Sequence, residues 1–319
     1  MSYTDVQWQS ADGLSLVGCC WEPEAEPRAV VCLVHGLGEH CGRYGHVAAA
    51  LNEAGYAVLA CDQRGHGRSG GQRGVIPSYD ALMDDIGLLL AQAEQRFPGK
   101  PRFLYGHSLG GNEVLNYALR RKPDLVGVIA TSPGLRTAFK PPALQLAAGR
   151  LMNRLWPAFT LPNGLELAAL SRDPAIIAAY QADPLVHDRL SARLGIELLR
   201  SGEWAIAHAA EFPVPLLLMH GTADRLTSHQ ASQEFAAKAP NCTLKLWEGL
   251  YHETHNEPEK ADVIRFLIEW LKTTCAEKVS TQTVDDPLLQ HAGAFESDIK
   301  DVAARHDEFL GQQLQDTHD

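Results

Sequence analysis

The chain has 319 residues, 45% of them hydrophobic, and a formal net charge of −11 at pH 7. That length suits one large domain with an insertion, and the acidic balance with no basic run excludes a phosphate-neutralising nucleic-acid surface. No run of 18 apolar residues marks a membrane-spanning helix, and residues 1–6 lack the basic and apolar regions of a secretion signal.

Residues 4–9 and 13–20 alternate around Asp12-Gly13 and predict an edge hairpin. After a polar, proline-bearing turn, residues 29–34 run continuously apolar, as a parallel strand buried on both faces does. They end at His35-Gly36-Leu37-Gly38. Residues 44–54 predict a helix closed by Gly55, 56–60 a second buried strand, and 62–74 a long glycine-rich loop. A helix is expected over 79–96, stopped by Pro98-Gly99, and then a strand over 102–107. That strand leads into Gly106-His107-Ser108-Leu109-Gly110-Gly111 and a helix-competent segment, 112–119. Strand, serine bracketed by glycines, and helix make the nucleophile elbow of an α/β-hydrolase. The chain crosses itself so closely there that Gly106 and Gly110 have no room for a Cβ. Residues 125–130 form the next strand. The alternation predicts an α/β fold, a mostly parallel sheet with helices on both faces.

The pattern changes over about 135–211, where helical segments (142–156, 165–169, 173–179, 191–210) are divided by prolines and polar turns, with no strand. This reads as a helical cap inserted over the carboxyl ends of the strands. The alternation resumes with a strand at 215–219, a helix at 228–238, a strand at 243–247 and a loop at 249–256. A helix over 258–272 follows, with Asn256 and Glu259 spaced as a capping box. Residues 1–275 are thus expected to be the catalytic domain. Residues 276–319 hold ten acids and three bases, and read as an acidic extension, disordered in isolation or forming one weak helix over 299–314.

Nucleophilic hydrolysis needs a base, an acid that orients it, and an oxyanion hole. In this fold the chain order is serine, acid, histidine. Asp224 sits three residues past a buried strand and His252 in the loop after the last one, so both fall at the carboxyl edge of the sheet beside Ser108. Ser108, Asp224 and His252 are the candidate triad; His255 is the second choice of base. A helix-capping aspartate and a plain loop histidine are the bland alternatives. The oxyanion donors are expected to be the amides of Leu109, which follows the nucleophile, and Leu37, in the loop after the first buried strand. His35 reads as a locally bonded histidine that shapes its turn, and Asp62, Arg64 and His66 as groups that stiffen their loop through mutual bonds. No H-E-x-x-H, no Cys/His/Asp cluster of metal spacing and no G-x-G-x-x-G after the first strand occurs, so neither metal nor dinucleotide cofactor is expected. The seven cysteines form no C-x-x-C pair, which predicts free thiols in a reducing, cytoplasmic compartment.

The chain resembles the monoacylglycerol lipase and lysophospholipase group of serine α/β-hydrolases. The matching stretches are His35-Gly-Leu-Gly-Glu-His40, Asp62-x-Arg-Gly-His-Gly-x-Ser-Gly-x-x-Arg-Gly74, Gly106-His-Ser-Leu-Gly-Gly111, Leu170-Ser-Arg-Asp173 with Asp183-Pro-Leu185, His220-Gly-Thr-Ala-Asp224-Arg-Leu226, and Tyr251-His252. They run in order from about 10 to 272. The resemblance implies hydrolysis of monoacylglycerols or similar single-chain lipid esters through an acyl-enzyme, with the same triad and hole. It further implies that 135–211 is a lid with a hydrophobic acyl channel, and that the enzyme sits loosely on membranes. A small lipid ester is the expected partner, with no nucleic acid. Lysophospholipase and small-ester carboxylesterase are alternatives within the same chemistry. The rival class is a serine aminopeptidase or amidase, which needs a carboxylate-lined pocket for a free amine; the sequence does not place one. In the cap, Leu144, Ala147, Leu151 and Leu155 recur at helical spacing. That stripe is expected to pack the cap onto the sheet, any surplus apolar surface facing one acyl chain.

Overall fold

The computed structural model describes residues 2–284; the weak helix expected over 299–314 lies outside them. The hairpin strands β1 (Ser2–Gln9) and β2 (Ser15–Glu22) pair antiparallel and precede β3 (Ala29–Val34). A short 3-10 helix (Cys41–Tyr44) runs into α1 (Gly45–Glu53), followed by β4 (Tyr56–Cys61) and α2 (Tyr79–Arg96). Next come β5 (Arg102–His107), α3 (Leu109–Arg121) and β6 (Gly127–Thr131). The cap holds α4 (Ala143–Leu155), β7 (Thr160–Pro162), α5 (Pro174–Ala182), β8 (Arg189–Ser191) and α6 (Ala192–Ala207), with 3-10 turns at Leu167–Ala169 and Ala209–Glu211. The chain then returns to the sheet through β9 (Leu216–Gly221), α7 (His229–Lys238), β10 (Cys242–Trp247) and α8 (Lys260–Val284). Met1–Cys275 forms one compact unit.

The eight main strands lie in the order β1-β2-β4-β3-β5-β6-β9-β10. Pairings β1/β2 and β2/β4 are antiparallel, and every later one is parallel. Successive side chains of a strand point to opposite faces, and the central strands show it. Val30, Cys32 and Val34 of β3 enter one core, while Ala29, Val31 and Leu33 enter the other. The first core is closed by α2 and α3, through Leu82, Ile86, Val114 and Leu115. The second is closed by α1 and α8, through Val47, Leu51, Val263 and Leu267. Fully burying such a side chain contributes about 1.5–3 kcal/mol, which is why continuous apolar runs locate these strands within a residue or two. Because β3, β5, β6, β9 and β10 are parallel, their carboxyl ends share one edge, and the loops after them converge there.

Two sequence expectations fail in the cap. It contains strands: β7 and β8 pair antiparallel from Thr160↔Ser191 to Pro162↔Arg189. Three-residue strands leave no periodicity to read and are held by their surroundings. The stripe on α4 does not pack the cap onto the sheet, for no residue of α4 is buried. Leu144 is 82% and Leu155 70% exposed. The helix rests on α6 by its opposite side, where a Cβ on Gly149 would stand 3.4 Å from Ile196. Main-chain bonds stitch the cap to the body, among them those from the amides of His187 to Gly38 (2.9 Å), Ser191 to Gly74 (2.9 Å), Glu253 to Leu170 (2.8 Å) and Ala138 to Leu226 (3.0 Å). The expected capping box is also absent. Asn256 lies in a buried 3-10 turn and donates to Glu253 Oε2 (2.7 Å), while Glu259 pairs with Arg172.

Candidate active site

Ser108 occupies the turn between β5 and α3 with φ 54° and ψ −113°. A non-glycine residue there stores on the order of 1–3 kcal/mol of strain. Its surroundings enforce the turn. A Cβ on Gly106 would meet the Gly110 carbonyl at 2.2 Å, and one on Gly110 would meet the Val34 carbonyl at 2.2 Å. The Ser108 amide donates to Thr131 (3.0 Å), and its carbonyl accepts from Asn112 (3.0 Å) and Gly134 (2.9 Å). Main-chain bonds thus pin the residue from β6 and α3 at once.

Asp224 follows β9, and its carboxylate is wholly buried. Oδ1 accepts from the amides of Leu226 (2.7 Å) and Thr227 (3.1 Å). Oδ2 accepts from Nδ1 of His252 (2.7 Å), from the Thr227 hydroxyl (2.8 Å) and from Nε2 of His220 (3.0 Å). Burial alone would raise this carboxyl, but His252 and His220 outweigh it and hold it well below the usual carboxylate range. Burial likewise pushes His252 down, yet the Asp224 carboxylate more than offsets that and leaves the imidazole above its ordinary value. His252 is further fixed through its backbone: its carbonyl accepts from the Ser132 hydroxyl (2.7 Å), and its amide donates to Ala169 of the cap (3.4 Å).

Ser108, His252, Leu37 and Leu109 line one cavity of about 100 Å³, whose other walls include Leu165, Leu170, Tyr180, Leu198 and Leu226. The Leu109 amide is the first of α3, where an N–H has no acceptor within its own helix. Leu37 lies between Gly36, where a Cβ would stand 3.2 Å from the Ser108 Cβ, and Gly38, at φ +78°. Beneath this loop lies an ion triad. Arg43 bonds Glu39 Oε2 (2.5 Å) and both oxygens of Glu253 (2.7 Å each). Glu39 Oε1 also accepts from the Gly36 amide (2.6 Å) and the Tyr44 hydroxyl (2.8 Å). The two carboxylates that the sequence did not place are therefore in the cavity wall, and both are already engaged.

The structure brings Asp224 and His252 together and sets His255 apart. His255 is buried against Tyr44 (4.9 Å between ring centroids) and His107 (4.8 Å), with neither ring nitrogen bonded. Burial and the neighbouring imidazoles push it well below its ordinary value. His35 donates from Nδ1 to Gly36 (2.8 Å) and accepts from the Gln63 amide at Nε2 (2.9 Å), a local turn-shaping role. Asp62, Arg64 and His66 stiffen the 62–74 loop mostly through other partners rather than through one another. Arg64 pairs with Asp85 (2.6 Å) and Asp12 (2.9 Å), and Asp62 accepts from the amides of Cys41 (2.9 Å) and Arg68 (2.8 Å). Only His66 bonds within the trio, through Nδ1 to the Arg64 carbonyl (3.0 Å). Sequence reasoning missed His220, Thr227 and Ser132 as supports of the pair; the first two flank Asp224 in its motif, and that adjacency was the available signal. No group of three His, Cys, Asp or Glu side chains able to hold a metal ion occurs among the described residues.

Residues 25–259 match the family described as serine aminopeptidase, S33. An uncharacterized abhydrolase domain-containing protein of Dictyostelium discoideum is 41% identical over 256 residues, 79% of this chain but only 27% of that longer protein. A monoacylglycerol lipase of Mycolicibacterium smegmatis is 36% identical over 262 residues, covering 81% of this chain and 93% of that one. The crystal structure of Paleococcus ferrophilus monoacylglycerol lipase superposes with a TM-score of 0.74 at 36% identity, over 86% of this chain and all of that one.

Proposed function

The chain belongs to the serine aminopeptidase S33 family, among its monoacylglycerol lipases, and is a carboxylic ester hydrolase; we propose that it cleaves monoacylglycerols or similar single-chain lipid esters through an acyl-enzyme on Ser108. The observation that carries this reading is the meeting, at one cavity, of an elbow serine and a histidine whose far nitrogen is bonded to a buried carboxylate. With Nδ1 of His252 committed to Asp224, Nε2 is the nitrogen left to take the Ser108 proton as Oγ attacks the ester carbonyl. The amides of Leu37 and Leu109 stabilise the oxyanion, a donor of this kind being worth about 10²–10³ in rate. His252 then protonates the departing alcohol, and water releases the acid by the same steps.

The walls support this substrate class. The cavity's about 100 Å³ is smaller than the roughly 300–1,000 Å³ of ordinary ligand pockets, so it suits the reacting carbonyl and the first carbons of a chain. It shares Thr137 with a groove of about 730 Å³ that runs past Phe139 and Leu146. An acyl tail continuing there gains about 0.8 kcal/mol per buried methylene. The exposed apolar residues Leu144, Leu151, Leu155 and Trp156 suit contact with a lipid surface, from which such a substrate would enter. We read residues 1–275 as the whole catalytic domain, cap included, and the enzyme as cytoplasmic with peripheral membrane contact, on the strength of its seven free thiols.

The amidase reading has one observation in its favour, the carboxylates of Glu39 and Glu253 in the cavity wall. A free amine would have to displace Arg43 from both. A fluorophosphonate should label Ser108 alone, and Ser108→Ala should abolish labelling. Across p-nitrophenyl esters from acetate to laurate, kcat/KM should rise with chain length, and monoacylglycerols should exceed triacylglycerols. Peak efficiency on acetate would instead point to a small-ester carboxylesterase, and turnover of aminoacyl anilides above that of esters to an aminopeptidase.

A further inference from the structure

We propose that Cys19 and Cys41 are a redox-responsive pair that a peroxide converts to an intramolecular disulfide, tying β2 to the turn beneath the Gly36–Gly38 loop. The sulfurs stand 3.2 Å apart, and both residues are fully buried. The Sγ of Cys19 accepts from Nη2 of Arg68 at 3.3 Å and stands 3.2 Å from both the Cys41 sulfur and the Tyr3 hydroxyl, which donates to Asp5 Oδ1 (2.7 Å). Arg68 is held over it by Asp5 (2.7 Å) and faces Asp62 at 3.6 Å, while Asp62 in turn accepts the Cys41 amide. A thiol beside a guanidinium is the one that ionises, and one beside a carboxylate stays protonated. The directions agree. The hydrogen bond with Cys41, helped by Tyr3 and Arg68, outweighs burial and leaves Cys19 below the ordinary thiol value. The bond to Cys19, with burial and Asp62, raises Cys41 well above it. Burial pushes Cys20, Cys32 and Cys242 up to about 12, so these are the inert thiols.

Access is through one layer of side chains. Tyr3 lies on the edge strand β1 and is 52% exposed, and edge strands open locally at low cost. The Cys19 thiolate attacks one oxygen of hydrogen peroxide; the O–O bond breaks and hydroxide leaves, taking a proton to become water. The Cys41 thiol then gives up its proton and attacks the resulting sulfenyl sulfur. The S–S bond forms, the S–O bond breaks, and a second water departs. Two thiols thus supply the two electrons that reduce one peroxide. To bond, the sulfurs close to about 2.0 Å. That draws on the helix whose next residues include Arg43 and Tyr44, the supports of Glu39 and so of the Gly36 amide.

The full-length chain, treated with graded hydrogen peroxide, alkylated and mapped without reduction, decides the matter without any variant. The Cys19–Cys41 linked peptide should be the first oxidised product and should vanish on treatment with dithiothreitol. Arg68→Met should slow its appearance about tenfold. Recovery of both cysteines as free thiols while Cys242 or Cys275 oxidises would overturn the pair, as would Cys19 passing to sulfinic acid with no link. The activity arm rests on the esterase reading and fails separately from the mapping. Turnover of p-nitrophenyl butyrate should fall at least threefold on oxidation and return on reduction, while Cys41→Ser turnover should be indifferent to peroxide. A crosslinked enzyme of unchanged kcat would overturn the strain on the loop.

Discussion

Nδ1 of His252 donates to Oδ2 of Asp224 across 2.7 Å, and Nε2 of His220 reaches the same oxygen from 3.0 Å. One carboxylate oxygen therefore serves two imidazoles. Only one of the two histidines is raised: burial lowers His220 despite the shared partner, whereas Asp224 outweighs burial at His252. With the neutral form of His252 as the proposed base, kcat/KM should climb with pH through a midpoint above the ordinary value of about 6.5. In Asp224→Asn burial remains and the charge is gone, so the midpoint should move below that value while kcat falls on the order of 10⁴. A profile whose acid limb stays put in Asp224→Asn would detach His252 from this carboxylate. The linkage has the matching sign. The pair's stabilisation through His252 is complete below its unfolded pKa and is lost as pH rises through the raised folded one.

The two loop histidines should separate cleanly in kinetics. His252→Ala should cost at least about 10³ in kcat, because members of the proposed triad would act as a unit. His255→Phe keeps the ring stack on Tyr44 and removes two buried nitrogens that have no partner, a change that relieves an unmet desolvation cost. Its kcat should stay within about fivefold of the parent, with thermal stability equal or higher. Inactivation by His255→Phe with His252→Ala active would show the base to be misassigned.

Gly110→Ala tests the elbow rather than the chemistry. The new Cβ would lie 2.2 Å from the Val34 carbonyl and 2.5 Å from that of His35, both main chain. Neither moves without disturbing β3, so a destabilisation of roughly 3–5 kcal/mol is expected. Denaturant melts of soluble protein would measure it. Gly99→Ala, at φ +70° with open space around its Cβ, is the control for glycine loss alone.

A chain ending at Cys275 should fold and keep kcat on p-nitrophenyl butyrate. Leu271 and Thr274 are the last buried side chains among the described residues of α8, and every candidate site residue lies upstream. Insoluble protein, or folded protein with a large loss of turnover, would show that the acidic segment completes the domain.

Much of this was legible because buried parallel strands write themselves as apolar runs. Residues 29–34 and 102–107 match β3 and β5 to the residue. What stayed hidden was whatever depends on neighbours distant in sequence. The glycines after Ser108 concealed the first turn of α3, which starts at Leu109 rather than at residue 112. Periodicity on α4 reported an amphipathic helix but not what stands opposite it, and among the described residues its stripe is exposed. His220 reaches Asp224 across the end of a strand and a turn, a geometry that no helical or strand period encodes.

Main-chain bonds to the body run along both halves of the cap: the Ala138 amide to Leu226 and the Ser228 amide to Arg136 in the first, the His187 amide to Gly38, the Ser191 amide to Gly74 and the Glu253 amide to Leu170 in the second. Its second half, with Tyr180 stacked under Arg43 at 4.8 Å and Asp183 bonded to His40 at 2.8 Å, is sewn to the body on both strands of the 62–74 and 35–40 loops. Its first half is tied at residues 136–138, while α4 itself makes no such bond among the described residues and has no buried residue. Any parting of the cleft is then local, a flap of α4 turning between two tied ends rather than a lid lifted whole. In hydrogen exchange the amides of His187 and Ser191 should keep their protons long after those of α4 have traded theirs for solvent, marking where the flap is hinged.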